Sequence, residues 1–149
     1  MKICAFTGHR HLSGYDFDEL LLQRVVSNLV KTGVKRFLCG MAIGFDLKAA
    51  QTVLVLKEKY DIELVACLPC PNQAEMYSAK NKLLYGAILE RCDEVVVVEK
   101  EYTRGCMLNR DRYLVDNSDL IVCFLRKRSG GTYYTVNYAK KKNKKIIEI

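Results

Sequence analysis

Short apolar runs rich in β-branched residues alternate along the chain with longer segments of helical periodicity, and this alternation constrains the fold more than any other feature. Such alternation is typical of right-handed βαβ crossovers that feed a mostly parallel sheet. The chain contains no internal repeat, low-complexity linker or Pro/Ser-rich segment. We therefore predict a single domain over residues 1–149: an α/β, doubly wound, Rossmann-like sheet of about six strands with helices on both faces.

The predicted strands cover residues 2–7, 36–39, 64–68, 95–98, 120–124 and 145–149. The predicted helices lie within residues 16–31, 45–59, 73–91, 107–115 and 132–142, the third in one or two pieces. Strand 95–98 is apolar throughout, which predicts helices over both of its faces. In the second and third helices, helical spacing predicts that Val55, Leu83 and Ala87 face inward.

Composition limits the location and the redox chemistry of the chain. Hydrophobic residues make up 50% of it, but no apolar stretch is long enough for a membrane-spanning helix, so we expect no membrane partner. The first eight residues are interrupted by charge and glycine too soon for a signal peptide. We therefore expect a cytoplasmic protein whose seven cysteines stay reduced.

Positive charge is concentrated near the end of the chain. Of the formal net charge of +7, five charges come from Lys140, Lys141, Lys142, Lys144 and Lys145, so only +2 remains for the other residues. A lysine run of this kind is either a solvated helix face or a patch that attracts phosphates.

Glycines and small polar residues follow the predicted strands at one edge of the sheet. Three strand-to-helix turns contain Gly8, Gly40 and Gly130 respectively, with Arg10 and Arg104 in neighbouring loops. Glycine lets the backbone approach a ligand closely, and the free amides of a first helical turn favour negative charge. No single turn matches a dinucleotide fingerprint or a P-loop, but together they predict a phosphate site at this edge.

Two charged residues near these turns have alternative interpretations. Arg10 could make a forked contact to a phosphate or carboxylate, or a structural salt bridge to Asp46 or Asp116. Asp46 opens the second helix, where a carboxylate can cap amides or accept a hydrogen bond from a ribose hydroxyl.

Other chemistries find weaker support. Cys67 and Cys70 have C-x-x-C spacing, but the first ends a strand, whereas redox sites place it at a helix amino terminus. A zinc site at these two cysteines would need two further ligands, and His9 and His11 are the only candidates, so we predict no metal site. We also predict no cofactor. Tyrosines 133, 134 and 138 could stack on a base but more often pack on a helix. We identify no catalytic residue.

Five ordered motifs that together cover nearly the whole chain resemble the YpsA-like family of the SLOG superfamily. They are Thr7-Gly8-His9-Arg10; Gly40-Met41-Ala42-Ile43-Gly44-Phe45-Asp46; Tyr102-Thr103-Arg104-Gly105-Cys106-Met107; Arg110-Asp111-Arg112-Tyr113-Leu114-Val115-Asp116 with Ser118-Asp119; and Gly130-Gly131-Thr132 with Thr135-Val136-Asn137-Tyr138-Ala139. The resemblance implies a Rossmann-like fold with a pocket for nucleotides or nucleotide-derived ligands.

By matching motif, the predicted nucleotide- or phosphate-binding residues are Thr7, Gly8, His9, Arg10, Gly40, Gly44, Asp46, Arg104, Arg110, Asp116, Gly130, Gly131 and Thr132. The sequence departs from relatives at His11, where we expect proline, and at Asp111, where we expect asparagine. These departures affect the detailed ligand contacts.

The resemblance implies three functions. The first is binding or sensing of a nucleotide or a nucleotide-derived ligand such as ADP-ribose. The second is hydrolysis of a nucleotide N-glycosidic bond, as in LOG phosphoribohydrolases, but the LOG glutamate is absent after Gly130-Gly131-Thr132, so Asp46 or Asp116 would have to replace it. The third is DprA-like binding of single-stranded DNA. Superfamily relatives often pair through helices, so the third helix is a candidate face for a homo-oligomer.

Overall fold

The computed structural model describes residues 2–149 and contains one six-stranded sheet. Its strands are β1 (Lys2–Gly8), β2 (Val34–Cys39), β3 (Glu63–Leu68), β4 (Glu94–Val97), β5 (Leu120–Phe124) and β6 (Lys145–Glu148). The strand order is β4-β3-β2-β1-β5-β6, and every neighbouring pair is parallel. The predicted α/β, Rossmann-like architecture is confirmed, and the sheet is parallel throughout.

Helices connect the strands and cover both faces of the sheet. They are α1 (Glu19–Lys31), α2 (Phe45–Leu56), α3 (Ala79–Glu90), α4 (Cys106–Asp116) and α5 (Gly130–Lys141). Alternation within β1 assigns the two faces, because Phe6 packs in the cluster with α1, α2 and α3, whereas Ala5 packs with α4 and α5. Both layers are therefore built around the same central strand.

An aromatic cluster fixes the contact between β1 and the start of α2. The rings of Phe6, Phe45 and Phe124 are fully buried, and the last two stack with centroids 6.2 Å apart. A Cβ at Gly8 would overlap the ring of Phe45. Glycine at the end of β1 thus lets the first turn of α2 approach the sheet, which brings two of the glycine-rich loops together.

The direction of the crossovers reverses at β1. From β1 the chain adds β2, β3 and β4 on one side, and it then returns to place β5 on the other side. The loops after β1 and β5 consequently lead to opposite faces and leave a crevice at their carboxyl ends. In open parallel sheets this is the usual position of a ligand.

The structure corrects three details of the sequence prediction. Strand β4 lies at an edge of the sheet, and Val95 and Val97 are each 43% exposed, so the prediction that helices cover both faces is wrong. Val55 and Leu83 are also exposed, at 65% and 77%, and Ala87 is exposed with them. These side chains lie on the outer surfaces of α2 and α3, where no further layer covers them.

Within residues 2–149, no helix has the length and apolar character needed to cross a membrane.

Candidate functional site

A cavity of about 290 Å³ opens at the carboxyl ends of β1 and β5. Four parts of the chain form it: the loop after β1, the beginning of α2, the first turns of α4, and the loop between β5 and α5. The residues that line it are Thr7, Gly8, His9, Arg10, His11, Tyr15, Ala42, Asp46, Met107, Leu108, Arg110, Asp111, Lys127, Ser129, Gly130, Gly131 and Thr132. We call this cavity the switch-point cavity.

The amino terminus of α5 forms one wall of the switch-point cavity. Ser129 occupies the N-cap position in an extended conformation, but its side chain caps no amide. Gly130 begins the helix with a φ of 89°, a conformation that favours glycine. The first amides of an α-helix have no partner within the helix, so these remain available to an anion at the end of the helix dipole.

Arg10 lies at the mouth of the switch-point cavity and is exposed. Its Nη2 atom is 3.9 Å from the sulfur of Met107. Within residues 2–149 no carboxylate lies within salt-bridge distance of its guanidinium. The structure therefore lacks the salt bridge to Asp46 or Asp116 that the sequence left open. The fork of Arg10 is free to bind an anion.

Asp46 is only 6% exposed and lies on the floor of the cavity. Its Oδ2 atom accepts a hydrogen bond from the amide of Ala42 at 3.2 Å, so the carboxylate closes the preceding loop. Its Oδ1 atom is buried without a hydrogen-bond partner among the described residues. Burial raises the pKa of Asp46 to about 7, although Arg110, the Ala42 amide and Arg10 act in the opposite direction.

Arg110 lies beneath Asp46 and is held by backbone carbonyls. Its Nη1 atom donates to the carbonyl of Gly40 and, at 3.5 Å, to that of Cys67, while its Nε atom donates to Asp111 at 2.8 Å. Burial alone would lower the pKa of Arg110, but Asp111 and Asp46 outweigh it and raise that pKa. A Cβ at Gly40 would lie 2.8 Å from Nη1, so glycine provides the space for this arrangement.

The loop that contains Gly44 packs against the loop after β1. Gly44 has a φ of 79°, and a Cβ there would overlap the carbonyl of Arg10. The amide of Phe45 donates to the carbonyl of His9 at 3.1 Å. His9 in turn accepts from the amide of Arg126 at 2.8 Å through its Nε2 atom. Burial, followed by the charges of Lys127 and Arg126, lowers the pKa of His9, which favours the neutral ring that this hydrogen bond requires.

Four of the residues predicted from sequence do not line the switch-point cavity: Arg104, Asp116, Gly40 and Gly44. Arg104 is exposed in the loop before α4 and is not part of the lining. Asp116 ends α4 and accepts a hydrogen bond from the hydroxyl of Tyr138 at 2.9 Å. Because α4 runs antiparallel to the strands, its last turn lies at the opposite edge of the sheet from the cavity. Gly40 and Gly44 do not line the cavity but shape its floor through Arg110 and the Arg10 backbone.

The cavity also contains residues that the sequence prediction did not include. Lys127 and Ser129 adjoin the glycine pair in the same loop, and Met107 and Asp111 lie on α4 beside Arg110. The helical spacing of Met107 and Arg110, three residues apart, is the one sequence signal that would place both on the same face. Nothing in the sequence marks Tyr15, which stacks on His9 with ring centroids 5.5 Å apart.

The remaining sequence candidates have structural roles. The tyrosines of α5 pack together, since Tyr134 and Tyr138 stack at 6.3 Å and Tyr134 accepts a hydrogen bond from Arg112 at 2.6 Å. Cys67 and Cys70 are both buried as free thiols. In the described part of the chain, no group of three or more His, Cys, Asp or Glu side chains is arranged to hold a metal ion.

Two solved structures share this fold. The DNA processing protein A of Helicobacter pylori, a protein described as binding single-stranded DNA, superposes with a TM-score of 0.70 at 18% identity over 99% of this chain. DNA processing protein A (DprA) of Streptococcus pneumoniae superposes with a TM-score of 0.72 at 15% identity, again over 99%. The chain spans only 64% and 50% of those two proteins, so the likeness establishes the fold of one region.

Sequence comparison identifies the family of the chain, which the shared fold alone does not. The uncharacterized SPbeta prophage-derived protein YoqJ of Bacillus subtilis is 32% identical over 138 residues, which cover 83% of this chain and 80% of that protein. The model of the YspA SLOG family matches residues 13–148, a range that includes four of the five motifs. This chain therefore belongs to the YspA SLOG family, as its glycine-rich motifs predicted.

Proposed function

We propose that the switch-point cavity binds the phosphate-bearing part of a nucleotide or a nucleotide-derived ligand. The observation that carries this proposal is that the uncapped amino terminus of α5 and an Arg10 guanidinium without a salt-bridge partner among the described residues lie at the same cavity. Helix amides without a partner and an arginine fork are both hydrogen-bond donors that a phosphate group can bind.

The charges around the cavity favour an anion. Arg10 and Lys127 are exposed cations at its lining, while the charge of Arg110 is balanced by Asp111, which also lines the cavity. A phosphate over Gly130 and Gly131 would accept hydrogen bonds from the free helix amides and meet the fork of Arg10. Membership of the SLOG family agrees with this assignment.

Asp46 would serve a different part of the same ligand. A carboxylate repels phosphate, but the carboxyl group of Asp46 lines the cavity, and a carboxyl oxygen can accept a hydrogen bond from a hydroxyl group. A sugar hydroxyl next to the phosphate supplies that donor, as ribose does for acidic residues in other Rossmann-like sites. The volume of about 290 Å³ suits a sugar phosphate and is small for a complete dinucleotide.

Isothermal titration calorimetry with a panel of nucleoside monophosphates, NAD and ADP-ribose tests the proposal. We expect Arg10→Ala and Gly131→Asp to lower the affinity of the bound ligand at least about tenfold, since charge-assisted hydrogen bonds contribute about 1.5–3 kcal/mol. Both residues are exposed, and aspartate is favourable in the first turn of a helix, so both variants should fold. Arg24→Ala on the exposed face of α1 is the matched control. A panel without any binder would contradict the proposal.

The same carboxyl group favours a catalytic alternative, the hydrolysis of a nucleotide N-glycosidic bond. Of the two aspartates considered as substitutes for the LOG glutamate, only Asp46 lines the cavity, and a pKa near 7 suits a general acid. Incubation with AMP, NAD and ADP-ribose followed by chromatography distinguishes hydrolysis from binding. Unchanged substrates after hours at high protein concentration would exclude the alternative.

A second binding alternative is single-stranded DNA, and the exposed lysines at the end of α5 favour it. Lys140, Lys141 and Lys142 project into solvent at the end of α5 far from the switch-point cavity, and the fold is shared with DNA processing protein A. Fluorescence anisotropy with an oligothymidine tests this function, because phosphate contacts predict an affinity that falls steeply with salt. Replacement of the three lysines by glutamine should abolish such binding and leave nucleotide binding unchanged.

A further inference from the structure

A second cavity, of about 550 Å³, adjoins the switch-point cavity. The loop before α3, the loop before α4 and Ile43 form it, and large apolar or aromatic side chains make up much of its lining: Ile43, Met76, Tyr77, Tyr102 and Met107. We call it the tyrosine–methionine cavity. It differs in chemistry from its neighbour, whose lining includes three glycines and five charged residues.

Arg10 and Met107 line both cavities. Because the guanidinium of Arg10 contacts the sulfur of Met107, these two side chains form the boundary between the cavities. A ligand with a phosphate on one side of Arg10 can therefore extend directly into the other cavity without leaving the surface.

Both floors are anchored to the same backbone carbonyl. Gly40 accepts from Arg110 on the side of the switch-point cavity, and from the Nε2 atom of Gln73, at 2.9 Å, on the other side. Gln73 is buried, and its Oε1 atom accepts from the hydroxyl of Tyr85 at 3.2 Å. Tyr77 donates to the carbonyl of Met41 at 3.1 Å and packs edge-on against Tyr85. Contacts within the chain thus hold the floor residues of the tyrosine–methionine cavity in place without a ligand.

Its rim contains two of the most exposed large apolar side chains in the described part of the chain. Met76 is 91% exposed and Tyr102 is 64% exposed. A single exposed apolar residue is normal on a protein surface. Two exposed apolar side chains on the rim of one cavity, whose lining also contains thioether and aromatic groups, suit a planar ligand. Asn72 and Glu75 also line this cavity and carry polar groups that can hydrogen-bond the edge of such a ring.

We infer that the tyrosine–methionine cavity takes the nucleobase of the ligand whose phosphate lies at the amino terminus of α5. The inference rests on the proposed function and narrows its ligand class to nucleoside phosphates, in preference to sugar phosphates or free phosphate. In this arrangement Arg10 lies between base and phosphate, and stacking on the tyrosines and on Met107 supplies affinity that a sugar phosphate cannot gain.

Calorimetry with paired probes tests the inference. The four nucleoside 5′-monophosphates are compared with ribose 5-phosphate, which has the same phosphate and sugar but no base. We expect at least one nucleotide to bind roughly tenfold or more tightly than ribose 5-phosphate. Tyr102→Ala should remove most of that advantage without changing the affinity for ribose 5-phosphate. Tyr102→Phe, which keeps the ring, should restore it, and Leu83→Ala on the exposed face of α3 is the control for loss of an exposed apolar side chain.

The outcomes separate this inference from the proposed function. If neither ribose 5-phosphate nor any nucleotide binds, the proposed function fails and the inference fails with it. If all probes bind equally and Tyr102→Ala changes nothing, the phosphate site stands and the base cavity is wrong. If Tyr102→Ala weakens both kinds of probe alike in a folded protein, Tyr102 does not contact a base, and the inference is also overturned.

Discussion

Asp46 is buried at a cost to the stability of the folded chain. Its carboxyl group keeps one oxygen without a partner, and burial raises its pKa to about 7 from an ordinary value of 3.8. Between these two values the folded chain retains a proton that the unfolded chain has lost. The contribution of Asp46 to the free energy of unfolding therefore decreases as the pH rises through this range.

Asp46→Asn should remove this pH-dependent cost, because asparagine resembles the protonated acid in shape and carries no charge. We expect the variant to be more stable than the unchanged protein by up to about 4 kcal/mol at pH 8, which is the equivalent of the raised pKa, and to differ little from it below pH 4. Urea denaturation at a series of pH values measures the difference. A constant difference across the range would show that the carboxyl group titrates normally in the folded chain.

Gly44 joins two loops at a point where no side chain fits. Its φ of 79° is unfavourable for other residues, and a Cβ would also overlap the Arg10 carbonyl. We expect Gly44→Ala to lower the free energy of unfolding by about 2–4 kcal/mol through strain and overlap combined. Gly14→Ala is the control, since Gly14 has a φ of 84° with nothing near its Cβ position, and should show the conformational cost alone. Equal losses in a denaturation series would contradict the predicted overlap.

Some residues of the site could be predicted from the sequence and others could not. Arg10, Asp46 and Gly131 were predicted because glycine turns and charged residues follow the strands, and the structure brings them to one cavity. Asp116 was predicted from the same motif as Arg110, but six residues of helix carry it from one edge of the sheet to the other. Arg110 is held by the Gly40 and Cys67 carbonyls, and sequence spacing contains no information on such contacts.

At the scale of elements, the amino terminus of α5 differs from those of α1 and α3. Asp18 caps α1 by accepting from the amide of Leu20 at 3.0 Å, and Ser78 caps α3 by accepting from the amide of Asn81 at 3.2 Å. Ser129 occupies the equivalent position of α5 without making such a bond. Helix α5 thus keeps amides free that α1 and α3 satisfy within the chain, and α2 and α4, which also begin near the cavity, have glycine N-caps without a side-chain bond.

Ser129→Asp tests whether these free amides bind the ligand. An aspartate cap should stabilise α5 by about 0.5–1 kcal/mol while it competes with the phosphate for the same donors. We therefore expect a higher free energy of unfolding together with a lower ligand affinity, measured by denaturation and by calorimetry on the same samples. Ser78→Ala, which removes the cap of α3, should lower the free energy of unfolding and leave the ligand affinity unchanged. Unchanged affinity in Ser129→Asp would place the ligand away from α5.

The elements themselves were largely predictable, and the errors have local causes. All six strands and five helices occur at the predicted places, because hydrophobic periodicity determines them directly. The third helix begins at Ala79 instead of residue 73, since Ser78 caps it and residues 73–78 form turns beside the tyrosine–methionine cavity. The exposure of β4 was not predictable, because an apolar run does not reveal whether its strand lies at the centre or the edge of a sheet.

At the scale of the whole molecule, strand order determines where a ligand can lie. Because β5 pairs with β1, the loops of two strands that are distant in sequence form a single rim, and the start of α4 closes it. The SLOG family assignment and the fold shared with DNA processing protein A agree with this topology. One fold can support many different functions, so the cavity and not the fold carries the functional proposal.

A crystal structure of the chain with the nucleoside monophosphate that binds most tightly is the most direct test. We predict phosphate density within hydrogen-bond distance of the Gly131 and Thr132 amides and of the Arg10 guanidinium. A nucleotide ordered elsewhere on the protein, with the cavity between β1 and β5 empty at saturating concentration, would contradict the account.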